Sequence, residues 1–175
     1  MRPAIFLDRD GVLNRTDVSD GTPRPPRNVN ELRIILGVAS SLNRLRREGY
    51  LLIVVTNQPD VARGLQSRRN IAYIHKKLQR VLELDDIFTC FHDDYHNCSC
   101  RKPKPGMIHQ AAEIHRVDLK RSYLIGDRWS DIISGSLAAC HTVLLERSYS
   151  KLQYCQPNHV VLNMTQAVDY IIGRG

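Results

Sequence analysis

The chain has no apolar run near the ~20 residues needed to cross a bilayer, and that excludes a helical membrane span. It also lacks low-complexity tracts and internal repeats, which excludes solenoids and disordered arrays. Aromatics are few, with one Trp and three Phe among 175 residues. The stacking surface expected of a single-strand nucleic-acid channel is therefore missing. The N-terminus enters an apolar strand almost at once, without a basic n-region, long apolar core or cleavage site. No signal peptide is expected, and the cytoplasm is the expected compartment.

What is present fits one soluble α/β domain spanning residues 1–175, a length that buries a substantial core. Net charge is +7, but the basic residues are scattered, as in "NRLRREG" and "QSRRN". Without a recognition motif they suit small anionic substrates as well as nucleic acid, and nucleic acid is not the expected partner. Short β-branched runs at Ala4–Leu7, Leu51–Val55, Ile87–Thr89, Tyr123–Ile125, Thr142–Leu145 and Val160–Leu162 read as strands. Val38, Leu42 and Leu45, then Ile71, Ile74, Leu78 and Val81, fall at helical spacing; further helices are expected over Met107–Arg116, Ser130–Ala139 and Thr165–Ile172. This alternation predicts a Rossmann-like parallel sheet with helices on both faces. "DGTPRPPRN", Asp20 to Asn28, is a loop-like stretch whose prolines exclude a regular helix or a strand interior.

Ligands of such sheets sit beyond the carboxyl ends of the strands. Asp8 and Asp10 follow the first strand, "TNQ" (Thr56 to Gln58) the second, "CRKPKPG" lies after the third, and "GDRWSD" follows the fourth. Four polar clusters thus converge on one edge. Carboxylates, a hydroxyl, an amide and a lysine together can hold a metal and a phosphoryl group.

"CFHDDYHNCSC" is a second constellation, offering Cys90, His92, Cys98 and Cys100 as C-x-H-x5-C-x-C. Three sulfurs and an imidazole match a closed tetrahedral zinc site, with His96 as the alternative to His92, and a reducing compartment favours metal over disulfides. With four protein ligands, the zinc would be structural. Cys140 and Cys155 read as ordinary thiols; His75, His109, His115, His141 and His159 read as surface or core residues.

The ordered pattern DxDG, TN, lysine, GDxxxD resembles the haloacid dehalogenase (HAD) superfamily of phosphatases over nearly the whole chain. The resemblance implies Asp8 as nucleophile and Asp10 as acid/base, with Thr56 and Asn57 on the phosphoryl oxygens and Lys102 neutralising charge. It implies magnesium on Asp8, the Asp10 carbonyl and Asp127, supported by Asp131, with Gln58, Pro59 and Asp60 lining the approach and Arg101 and Arg128 recognising substrate.

The zinc loop followed by "CRKP" is similar to two branches that lack a large cap. One acts on a phosphorylated heptose, the other on histidinol phosphate. "FLDRDGVLN", "VVTNQPDVARG", "CSCRKPKPGM" and "IGD" resemble the heptose branch, so a small phosphorylated sugar is the expected partner of a monomer. The five residues between His92 and Cys98 resemble the histidinol branch instead. Arg128 replaces a lysine usual in the heptose branch, and the Pro/Arg-rich Thr22 to Asn28 lengthens the segment after the nucleophile. A non-catalytic zinc module and a 3′-phosphatase of nucleic acid are the readings from other classes.

Overall fold

The computed structural model describes residues 1–19, 22–150, 152–154 and 156–174. Cys155, read above as an isolated thiol, and the Asp20–Gly21 end of the Pro-rich segment lie outside the described residues.

Strand β1 (Ala4–Leu7) is buried along its whole length, and its side chains alternate between two cores. Ile5 and Leu7 enter one, Ala4 and Phe6 the other, as expected of a central strand covered on both faces. After the hairpin β2 (Asp17–Ser19) and β3 (Thr22–Arg24) come helix α1 (Val38–Arg47), β4 (Leu51–Asn57), α2 (Arg68–Leu82) and β5 (Asp86–Cys90). The chain continues through α3 (Gly106–His115), β6 (Tyr123–Gly126), α4 (Trp129–Leu137), β7 (His141–Leu145), β8 (His159–Val161) and α5 (Met164–Ile172).

The six-stranded parallel sheet has the order β5-β4-β1-β6-β7-β8. From β1 the chain first builds outward on one side through β4 and β5, then crosses to β6 on the other. Their divergence from β1 makes the topological switch point where ligands bind in open α/β sheets. Helices α1, α2 and α5 pack on one face and α3 on the other, so the predicted two-faced α/β sheet is the observed one. Gly135 of α4 lies against Leu124, placing α4 beside α3. Among the described residues no cap domain is inserted, and no helix is long and apolar enough to cross a membrane.

Two sequence expectations need correction. Val81 is half-exposed, and the buried stripe of α2 runs Ile71, Ile74, Leu78, Leu82, because the step from Leu78 to Leu82 is four residues and keeps the stripe on one face. The Pro-rich segment is not wholly loop. β2 and β3 pair antiparallel with Val18 opposite Pro23, and a two-stranded ribbon tolerates proline because both its strands are edges.

Candidate active site

β1 ends at Leu7 in the centre of the sheet, so the next residues emerge at the switch point. Asp8 donates its backbone N–H to Ile125 O of the neighbouring strand, 3.0 Å away, and its carboxylate is almost wholly buried. Gly11 then turns the chain at φ +87°; a side chain there would clash with the Asp127 carboxylate and the Tyr149 hydroxyl. Only glycine fits this approach.

Lys102 reaches in from the loop after β5. Its Nζ lies 2.7 Å from Asp8 Oδ1, 2.5 Å from Asp131 Oδ1 and 2.8 Å from Val55 O. Burial alone would lower the lysine's pKa, but Asp131 and Asp8 outweigh it and fix the ammonium form. The two aspartates approach from different elements. Asp131 sits in the first turn of α4 and also accepts the Arg128 N–H at 3.0 Å; Gly126 leaves room for it, since a side chain there would overlap Asp131.

Asp8, Asp127 and Asp131 place carboxylate oxygens within 4.8 Å of one another, all three buried. Burial, then Asp131 and Asp10, push Asp8 up to about 6 against the pull of Lys102; burial, then Asp8 and Asp131, push Asp127 up to about 8. Asp127 Oδ2 accepts from Tyr149 Oη at 2.5 Å, while its Oδ1 is buried with no hydrogen-bond partner. A buried acceptor left unpaired among mutually repelling carboxylates is a fit for a hard divalent cation with oxygen ligands.

Asp10 bonds a different set of groups. Both its oxygens contact the fully buried Arg9 guanidinium at 2.7–3.1 Å, and Asn14 Nδ2 and Gln58 Nε2 donate to it at 3.0 and 2.8 Å. Burial would raise its pKa, yet Arg9, Asn14 and Gln58 together hold it below the usual carboxylate range. Gln58 also bonds Thr56 Oγ1 at 2.9 Å, so this side chain orients other groups within the site. Asn57 exchanges two hydrogen bonds with the Lys102 backbone, 3.0 and 3.1 Å, and so ties the end of β4 to the lysine's loop.

Above these groups opens a cavity of about 770 Å³, within the ~300–1,000 Å³ range of small-molecule sites, whose walls include Asp8, Asp10, Asn57, Lys102 and Asp131. Pro59, Asp60, Arg101 and Arg128 line its mouth. Arg101 is held by Asp94 at 2.7 Å and by His92 O at 3.2 Å. Thr56 and Asp127 lie buried beneath.

The Cys90, His92, Cys98 and Cys100 donors also lie within 4.8 Å of one another, with contacts of 3.3–3.7 Å around the group. A tetrahedron with ~2.3 Å metal–sulfur bonds has edges near ~3.8 Å, so the donor set fits zinc. His96 is turned elsewhere: its Nδ1 accepts the Asp93 N–H at 3.1 Å.

Sequence reading missed four contributors. Arg9 stands inside the DRD motif, where its position between two site aspartates was an available signal. His75 contacts the Arg9 guanidinium at 3.1 Å from α2, and Tyr149 and Ser150 reach Asp127 from the loop after β7. Nothing in their local sequence marks them. Cys140 is buried in the α3 core and pushed up to about 12 by burial, the state of an inert thiol.

The fold and this site define a phosphatase of the HAD class. The HAD-hydrolase-like family profile matches residues 99–167. D,D-heptose 1,7-bisphosphate phosphatase from B. bronchiseptica, crystallised with magnesium and phosphate, superposes with a TM-score of 0.86 at 28% identity, covering 99% of each chain. D-glycero-beta-D-manno-heptose-1,7-bisphosphate 7-phosphatase of Helicobacter pylori J99 is 36% identical over 150 residues, 81% of this chain and 82% of its own. Its counterpart in Rhodopseudomonas palustris is 38% identical over 149 residues, 78% and 79% of the two chains. The chain belongs to this heptose-bisphosphate phosphatase family within the HAD-like enzymes.

Proposed function

We propose that residues 1–175 form one phosphatase domain that releases the C7 phosphate of D-glycero-D-manno-heptose 1,7-bisphosphate through an aspartyl-phosphate on Asp8. The observation that carries the reading is the buried Asp8–Lys102–Asp131 arrangement at the floor of a cavity whose mouth is rich in arginine. Asp8, the Asp10 carbonyl and Asp127 would hold magnesium, which would supply the positive charge that lets a carboxylate meet a phosphate dianion. Cys90, His92, Cys98 and Cys100 would hold zinc, which would fix the fold of the loop that delivers Lys102.

An Asp8 carboxylate oxygen attacks phosphorus, the bond from phosphorus to the C7 oxygen breaks, and its electron pair leaves on that oxygen. Asp10 gives that oxygen a proton. Thr56 and Asn57 hold the phosphoryl oxygens, and Lys102 Nζ stabilises the charge passing through the transition state. Water then attacks phosphorus, Asp10 takes its proton, and the bond to Asp8 breaks to yield inorganic phosphate. The Arg9 pairing favours ionised Asp10, which suits its role as base in this second half and works against its role as acid in the first, so Asp10 must take up a proton from solvent before the attack. Gln58, Pro59 and Asp60 border the substrate's path, while Arg101 and Arg128 face its far end. Guanidinium binds phosphate bidentately, and a cationic mouth disfavours the amine of histidinol phosphate.

The five-residue spacing from His92 to Cys98 favours histidinol phosphate as the second reading. A side-by-side comparison of kcat/KM for both heptose bisphosphate anomers, histidinol phosphate and a 3′-phosphorylated oligonucleotide decides between them. Either heptose anomer should lead. A ~100-fold lead for histidinol phosphate, about 2.7 kcal/mol in transition-state stabilisation, overturns the substrate assignment, and a leading oligonucleotide does the same.

A further inference from the structure

Asp127 keeps its carboxylate beside those of Asp8 and Asp131, which repel it, at the point where β6 gives way to α4. Rotation about its side-chain torsions would relieve that repulsion. Residues 147–150, just after β7, prevent it. Ser150 Oγ donates to Asp127 O at 2.7 Å and fixes the backbone, while Tyr149 Oη donates to Asp127 Oδ2 at 2.5 Å and fixes the side chain. The segment is closed on itself, because the Arg147 N–H donates to Ser150 Oγ at 3.0 Å and the Ser150 N–H to Arg147 O at 2.9 Å.

The same segment also reaches the turn after β1. Arg147 Nη2 and Nε donate to Gly11 O at 2.9 and 3.2 Å. Asp127 Oδ2 occupies space that only a glycine leaves open, since a Cβ at position 11 would overlap both this oxygen and the Tyr149 hydroxyl. Oδ2 is thus enclosed between Gly11 and a phenol, whereas Oδ1 is buried without a hydrogen-bond partner. The two oxygens of one carboxylate are not equivalent.

We infer that Tyr149 is a positioning residue for the divalent cation: by holding Oδ2 it commits Oδ1 of Asp127 to the metal and sets how tightly the site takes the ion. The inference rests on the proposed magnesium site and deepens it. A ligand oriented before the ion arrives loses little freedom on binding, and partners that orient ligands are worth about 10–100-fold in metal affinity. Tyr149 is not among the walls of the substrate cavity, so its hydroxyl acts on the cation rather than on the sugar.

The test compares wild type with Tyr149→Phe, which removes the hydroxyl alone and keeps the ring beside the Arg128 guanidinium. Mn²⁺ is titrated into the zinc-loaded protein without substrate, and the free ion is followed by its electron paramagnetic resonance signal. The variant should bind Mn²⁺ about tenfold more weakly than wild type. Turnover of p-nitrophenyl phosphate, which does not depend on the sugar assignment, should fall at limiting magnesium and recover most of its rate in excess magnesium. Ser150→Ala cuts the tie to the Asp127 backbone and leaves the phenol on Oδ2, so it should weaken Mn²⁺ binding by less than ~3-fold. Equal Mn²⁺ affinity in wild type and a Tyr149→Phe variant shown to be folded by its melt overturns the inference. Equal losses in Tyr149→Phe and Ser150→Ala do the same, because they assign the effect to the turn as a whole. A wild-type protein that binds no Mn²⁺ overturns the magnesium site itself, and the inference with it.

Discussion

His75 shows how a single residue can serve the site without touching it. Its ring contacts Arg9, which in turn grips Asp10, and burial followed by the Arg9 charge depresses the imidazole to about 4 from 6.5. A base whose folded pKa is depressed stabilises the fold above its unfolded pKa and loses that contribution as pH falls toward the folded value. The window is therefore pH 6.5 down to about 4. Thermal or urea melts across it should show wild type losing stability faster than His75→Gln, by at most ~2–3 kcal/mol, reduced because the ring is partly exposed. Identical pH slopes for the two proteins would refute the assignment. This residue was invisible in sequence because its partner lies 66 positions away. Asp8, Asp10, Lys102 and Asp127 were legible because each ends a strand or opens a turn at the same sheet edge. Gln58, expected along the substrate's path, makes its contacts with Asp10 and Thr56, a geometry that only the folded chain displays.

At the scale of elements, the loop with the Cys/His cluster connects β5 to α3 and carries Lys102 at its end. Its spacing was readable because cysteine and histidine at short intervals leave few alternatives. His92 was the expected fourth donor with His96 as the alternative, and the folded chain groups His92 with the cysteines while His96 accepts the Asp93 N–H. Cys98→Ser should lower zinc content by metal analysis and loosen the Lys102 loop, seen as faster amide exchange over residues 91–105; full zinc occupancy would mean a different ligand set. Gentle chelation should remove magnesium and stop turnover reversibly while the zinc stays. The hairpin was the least legible element. Its prolines argued against a strand, yet a two-stranded ribbon that is all edge accommodates them.

For the whole molecule, the strand order explains why so few residues suffice for a catalyst without a cap. β1, β4 and β6 are neighbours at the switch point, so Asp8, Thr56 and Asp127 meet although they stand far apart in sequence. The loops after β3 and β5 then supply the walls that a cap would otherwise provide. Alternating apolar segments were enough to foresee the two-faced sheet; the meeting of Tyr149 with Asp127 depends on the path of a loop, which has no periodicity to read. The measurement that bears most directly on the account is phosphate release from heptose 1,7-bisphosphate by Asp8→Asn, with magnesium present and folding verified by its melt. The substitution keeps the side chain's shape and removes the nucleophilic carboxylate, so turnover should fall by ~10⁴-fold or more. Near-normal release by a variant shown free of deamidation and contaminating phosphatase would contradict it.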